Sequence, residues 1–163
     1  MKELVAIAEQ VAAELIERKQ TIAVAESSTG GLISAALLAV PGASGYFLGS
    51  AVVYTREARR VLMDIGDEAM KGVRPASEAY AQLLASQIRQ RFSSHWGLSE
   101  TGATGPTGNR YGDAAGHSCV AVAGPASAVV TLETGSNERQ ANMQAFAASA
   151  LNLLLQNLSR HNS

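Results

Sequence analysis

The sequence predicts an α/β fold, a single domain over 1–163 with three α/β/α layers. Its sheet is mixed and mostly parallel, with a late antiparallel hairpin. Three observations lead there. Early apolar, β-rich runs alternate with segments of helical periodicity, which requires parallel crossovers. Two later runs, 118–123 and 127–133, are separated only by Gly124-Pro125-Ala126, which leaves room for nothing but a hairpin. With 47% hydrophobic and 17% charged residues over 163 positions, the chain can bury one core and does not resemble a disordered segment.

The elements follow in order. Residues 3–18 form an amphipathic helix, with Leu4, Ala8, Val11 and Leu15 on one stripe and Val5, Ala12 and Ile16 beside it. Residues 21–25 read as a buried strand, and 32–40 as a helix broken by Pro41-Gly42-Ala43-Ser44-Gly45. A second strand covers 50–54. Thr55 then caps a short helix to residue 62, with Ala58, Val61 and Leu62 as its apolar side. Ser77 caps a helix to about Phe92, whose inward stripe is Tyr80, Leu83, Leu84, Ile88 and Phe92. A third strand spans 96–101, and a glycine-rich loop spans 102–116. The closing helix, 137–158, turns Met143, Ala147, Ala150, Leu154 and Leu158 inward.

Composition narrows the function. A net charge of −1 gives no electrostatic ground for binding nucleic acid or a membrane. One cysteine, Cys119, excludes an internal disulfide framework and reads as a core thiol in a buried strand. Acidic residues interrupt every apolar run near the N-terminus, so neither a signal peptide nor a membrane span is expected. A cytoplasmic protein is the expectation. His95, His117 and His161 lack ligand spacing, so neither a metal nor another cofactor is expected.

The stretch Glu26-Ser27-Ser28-Thr29-Gly30-Gly31 is where chemistry concentrates. A strand ending in a carboxylate, three hydroxyls and two glycines, followed directly by a helix, can supply a nucleophilic hydroxyl and backbone N–H donors for an oxyanion or a ligand anion. Glu26 orients neighbouring hydroxyls or amides rather than acting as a base. In a doubly wound sheet ligands lie outside the carboxyl ends of the strands. Tyr54, Arg56 and Arg59 should therefore converge on the same crevice, joined by the loop with Gly102, Thr104, Gly105 and Arg110. A Ser27–His117–Asp113 triad is conceivable, although His117 reads more simply as a surface residue at a strand start.

Ala25-Glu26-Ser27-Ser28-Thr29-Gly30-Gly31-Leu32 resembles the Ala-Glu-Ser-Cys-Thr-Gly-Gly motif of the CinA C-terminal family, the nicotinamide-nucleotide amidases. Further resemblances follow in order: Pro41-Gly42-Ala43-Ser44, then Tyr54-Thr55-Arg56-Glu57-Ala58-Arg59 against Tyr-Ser-Asn-Glu-Ala-Lys, then Ala76-Ser77-Glu78. Thr101-Gly102-Ala103-Thr104-Gly105-Pro106 resembles the family's Thr-Gly-Ile-Ala-Gly-Pro loop, and Gly116 its glycine before the next strand. The resemblance implies hydrolysis of nicotinamide mononucleotide to nicotinate mononucleotide and ammonia, a metal-free mechanism and a homo-oligomer. It implies Ser27 as nucleophile and Tyr54 as its helper, with Arg59 at the position of the lysine base. A guanidinium keeps its proton in proteins, so Arg59 can bind an anion but cannot accept the serine proton. The implied ligand is a small nucleotide or carboxamide, held by Glu26, Ser28, Thr29, Gly30, Gly31, Arg56, Gly102, Thr104, Gly105 and Arg110. The alternative is a non-catalytic relative that binds a nucleotide or other anion.

Overall fold

Every residue of the first strand, β1 (Ile22–Glu26), is buried, and the sheet is laid out on both sides of it. The structure, a computed structural model, describes residues 1–160; His161 lies outside the described residues. The elements are α1 (Lys2–Arg18), β1, α2 (Leu32–Leu38), β2 (Phe47–Val52), α3 (Arg56–Met63) and α4 (Glu78–Phe92), then β3 (Trp96–Ala103), β4 (His117–Ala123), β5 (Ala128–Glu133) and α5 (Arg139–Arg160). The strand order is β2-β1-β3-β4-β5. β1 is parallel to β2 and β3, whereas β3–β4 and β4–β5 are antiparallel. The α/β class, the mixed sheet and the late hairpin are therefore as the sequence predicts.

Alternation along the strands assigns each face its helices. Ile22 and Val24 of β1, Trp96 and Leu98 of β3, and Val120 and Val122 of β4 join the core with α1, α2 and α5. The opposite face carries small side chains, Ala23, Ala25, Cys119 and Ala121, and α4 packs against it through Ala81, Ala85, Leu84 and Ile88. Small residues on both partners let the helix axis come close to the sheet. Cys119 is buried in this layer, as a core thiol should be. Thr55 caps α3 by accepting from the Ala58 N–H at 3.0 Å, and Ser77 caps α4 by accepting from Tyr80 at 3.1 Å. Among the described residues no helix is long and apolar enough to cross a membrane.

Several details differ from the sequence reading. β2 begins at Phe47 and ends at Val52, because the edge strand takes its register from β1, with Phe47 opposite Ile22 and Val52 opposite Glu26. Tyr54 consequently lies beyond the strand. Helix α3 turns Arg59 and Met63 inward and leaves Val61 and Leu62 exposed. It sits over the carboxyl end of the sheet, where its inward face meets the cavity wall as well as apolar core, so its hydrophobic residues do not mark its buried side. Ile16 and Phe92 are likewise more than a third exposed. Met143 is half-buried, with its methyl near Gly30.

At Gly97 the sheet lies close against α4. A Cβ there would stand 2.1 Å from the Ala85 carbonyl oxygen and 2.8 Å from Arg89 Cβ. Gly97→Ala must push the helix off the strand and should destabilise the protein by on the order of 2–3 kcal/mol, measured by denaturant unfolding. Gly66→Ala, where nothing lies within 4 Å, should be within about 0.5 kcal/mol of wild type.

Candidate functional site

The turn that leaves β1 is held by two buried carboxylates. Glu26, the last residue of β1, accepts from the N–H groups of Gly31 (2.9 Å), Ile33 (3.2 Å) and Ser34 (3.0 Å). It also accepts from the Thr29 and Ser34 hydroxyls at 2.7 and 2.6 Å. Glu100, from β3, accepts from the N–H groups of Ser27 and Thr29, both at 3.0 Å, and from the hydroxyls of Thr29 (2.9 Å) and Ser28. Both carboxyl groups are fully buried. Gly30 (φ +62°) and Gly31 (φ +106°) supply the left-handed backbone that folds the helix start back over Glu26.

This arrangement corrects the sequence reading in one respect. The N–H groups of Gly31, Ile33 and Ser34, which sequence offered to a ligand anion or an oxyanion, are spent on Glu26. Those of Gly30 and Leu32 go to the carbonyls of Ser27 and Thr29. Among the described residues, Ser28 alone in the turn has an N–H without a hydrogen-bond partner. Glu26, Ser28, Thr29, Gly30 and Gly31 thus shape the turn rather than line the cavity beside it. Their part is to present Ser27, and the orienting role read for Glu26 is the one the geometry gives it.

Ser27 does reach a cavity. About 500 Å³ of space opens at the carboxyl ends of β1, β2 and β3, lined by Ser27, Val53, Tyr54, Thr55, Arg56, Arg59, Met70, Val73, Pro75, Ala76, Tyr80, Thr101, Gly102, Asn109, Arg110 and Tyr111. That volume lies in the range of small-molecule sites, about 300–1,000 Å³. The structure therefore brings Ser27, Tyr54, Arg56, Arg59, Gly102 and Arg110 together, as strand-end convergence predicts. The Ser27 hydroxyl has no hydrogen-bond partner among the described residues.

The three arginines differ. Arg56 is largely exposed and gives both Nε, at 3.1 Å, and Nη2 to Asp67. That partner raises the guanidinium pKa and lowers the carboxylate's, chiefly through the hydrogen bonds between them. Arg110 is exposed and lies over the Tyr111 ring, 5.2 Å from its centroid. Arg59 is only 7% exposed. Its Nη2 approaches Asp67 no closer than 4.0 Å, its Nε has no hydrogen-bond partner, and its guanidinium stands 6.0 Å from the Tyr80 ring centroid.

Other candidates are placed elsewhere. Thr104 and Gly105 are not in the cavity lining. The Thr104 carbonyl accepts from Asn142 at 2.9 Å and that of Gly105 from Arg139 at 2.5 Å, so this loop is tied to the start of α5. Arg139 also reaches the Tyr54 hydroxyl at 3.4 Å. The serine triad does not form. His117 is buried, not on the surface. Its Nε2 lies 2.7 Å from the Ala76 carbonyl and its Nδ1 2.5 Å from Glu133, which leaves no ring nitrogen for Ser27. Burial disfavours the charged ring, yet the bonds to Glu133 and Ala76 and the charges of Asp113 and Glu133 raise its pKa overall. Asp113 is engaged by Arg74 at 2.8 Å, which holds its carboxyl below the ordinary range. Sequence reading missed Glu100, Tyr80 as cavity wall, Tyr111 and Arg139. Only Glu100 left a signal, a lone acid inside an otherwise strand-like run.

A three-layer α/β domain with its cleft at the strand carboxyl ends, and a serine presented there by a Glu-Ser-Ser-Thr-Gly-Gly turn, defines a narrow class. The profile of the CinA C-terminal domain matches residues 4–158, and the chain belongs to that family. A CinA-like protein of Acidobacterium capsulatum is 36% identical over 151 residues, 92% of this chain and 36% of that protein. One of Desulforapulum autotrophicum is 35% identical over 148 residues, 90% of this chain and 35% of the relative. The chain spans about a third of the length of these relatives. Among solved structures, a competence damage-inducible protein A from Klebsiella pneumoniae superposes with a TM-score of 0.90 at 24% identity, covering 98% of this chain and 99% of that one. A competence/damage inducible protein from Agrobacterium tumefaciens gives 0.85 at 25% identity, covering 96% of each.

Glu100 makes the turn sensitive to pH. Burial pushes its carboxyl up, and hydrogen bonds from Ser28, Thr29 and Ser27 offset only part of that. The native state therefore binds more protons than the unfolded chain above the ordinary carboxylate range, and the stability it contributes falls as pH rises through that window. Glu100→Gln keeps the shape without the ionisation, so it should flatten this dependence and melt above wild type at pH 8. Glu100→Ala strands the N–H groups of Ser27 and Thr29 and should cost about 2–5 kcal/mol. Thermal melts from pH 4 to 8 check both; a Glu100→Gln protein less stable than wild type at every pH would contradict the assignment.

Proposed function

We propose that the cavity binds a phosphate-bearing pyridine nucleotide, nicotinamide mononucleotide in the first instance, and that hydrolysis of its carboxamide at Ser27 is slow. The observation that carries this reading is Arg59, a buried guanidinium in the ligand cavity at the position where the resembled amidases have lysine. In the full reaction the serine Oγ attacks the carboxamide carbon, ammonia leaves, and water releases the acid from the acyl-serine. The first step needs an acceptor for the serine proton. A guanidinium is not one, and both ring nitrogens of His117 are committed elsewhere. Loss of a general base is worth about 10²–10⁴ in rate. Binding is less affected, since Arg59 and Arg110 still offer positive charge and the rings of Tyr80 and Tyr111 offer faces for a pyridine.

Ammonia release tests the proposal. Wild type should turn over nicotinamide mononucleotide barely above background, and Ser27→Ala should remove what remains. Arg59→Lys alone should gain modestly, because Asp67, 4.0 Å from the present guanidinium and shared with Arg56, still favours the charged form of a lysine there to some degree. Arg59→Lys combined with Asp67→Asn removes that counter-charge and should gain more, on the order of tenfold over the single variant. Robust wild-type turnover would overturn the slow-hydrolysis reading.

A further inference from the structure

The cavity runs from buried lining residues to an exposed rim. Val53, Ala76, Tyr80 and Thr101 make a floor that is almost completely buried. Arg59 is the cation there among the described residues. Its charge is poorly compensated: Nε has no partner, and the nearest carboxylate, Asp67, lies 4.0 Å from Nη2 and is already bonded twice by Arg56. A largely buried cation with little counter-charge is unfavourable, and a ligand anion that reaches it relieves the cost. At the rim Arg110 is exposed on the Tyr111 ring, where a hydrated phosphate can be met without being stripped of its water.

We infer that the Arg59 floor selects an aromatic carboxylate over the matching carboxamide, so that the ligand this pocket retains is the acid, nicotinate mononucleotide in the nucleotide series. The inference rests on the pocket assignment above and adds the ligand's charge. A carboxamide brings an acceptor oxygen but no charge, and its NH₂ group adds donors beside a group that only donates. A carboxylate brings a full charge and two acceptors, which suit the planar guanidinium edge. The phosphate end contributes equally to acid and amide and so does not discriminate.

Isothermal titration of the purified protein with nicotinate mononucleotide, nicotinamide mononucleotide, nicotinate and nicotinamide tests this. Wild type should bind each acid about 10- to 100-fold tighter than its amide. Arg59→Gln should abolish the preference by weakening the acids, Arg59→Lys should keep most of it, and Arg110→Gln should weaken both mononucleotides alike without changing their ratio. Thermal melts confirm that each variant is folded. Equal affinity for acid and amide in wild type, or a preference that survives Arg59→Gln, overturns the inference while leaving nucleotide binding standing. If neither mononucleotide binds yet nicotinate is still preferred over nicotinamide, the nucleotide reading falls and the floor assignment holds. No preference in either pair, bound or unbound, overturns the floor assignment.

Discussion

Two carboxylates buried beneath one turn are the constraint on which the site depends. Glu26 gathers the first N–H groups of α2, and Glu100 gathers those of Ser27 and Thr29. Between them the Thr29 hydroxyl touches both, at 2.7 and 2.9 Å, although its single proton can serve only one at a time. Burying two acids is unfavourable unless their lone pairs are filled, and here five backbone N–H groups and three hydroxyls of the turn fill them. The result is a rigid pedestal. Ser27 is carried to the edge of the cavity with its backbone N–H tied down and its hydroxyl free.

That rigidity has a chemical consequence. A helix start is often an anion site because its N–H groups are unpaired. Here the protein supplies its own carboxyl oxygens to those groups, so a ligand's charge would have to be met by side chains instead. The cavity answers with arginines at different depths: Arg59 buried in the wall, Arg110 stacked at the rim and Arg56 neutralised by Asp67. Guanidinium groups in such a cavity suit an anion by charge and geometry. Among the described residues none accepts a hydrogen bond from the Ser27 hydroxyl, and a serine nucleophile needs such an acceptor for its proton.

The fold was largely legible in the sequence because its signals are local. Periodicity marked α1, α4 and α5, hydroxyls marked the caps of α3 and α4, and Gly124-Pro125-Ala126 marked the hairpin. The convergence of Ser27, Tyr54 and Arg59 was legible too, since strand order alone places their segments at one end of the sheet. Three things were not. The bounds of β2 depend on its pairing with β1. The inward face of α3 is set by the cavity it covers, so Val61 and Leu62 misled and Arg59 went unread as a buried residue. The partnership of Glu26 with Glu100 crosses seventy-odd positions, and nothing in either local stretch announces it. Spare N–H groups can be inferred from a helix start, but only the structure shows that they are taken.

The central claim is that ligand anions meet arginine side chains in this pocket and not the amides of the helix start. An ¹⁵N NMR titration that resolves both arginine side-chain and backbone signals, run with nicotinate mononucleotide, tests it most directly. The account predicts that the side-chain resonances of Arg59 and Arg110 move while the amides of Gly31, Ile33 and Ser34 stay in place. Large shifts at those three amides with the arginines unmoved would contradict it.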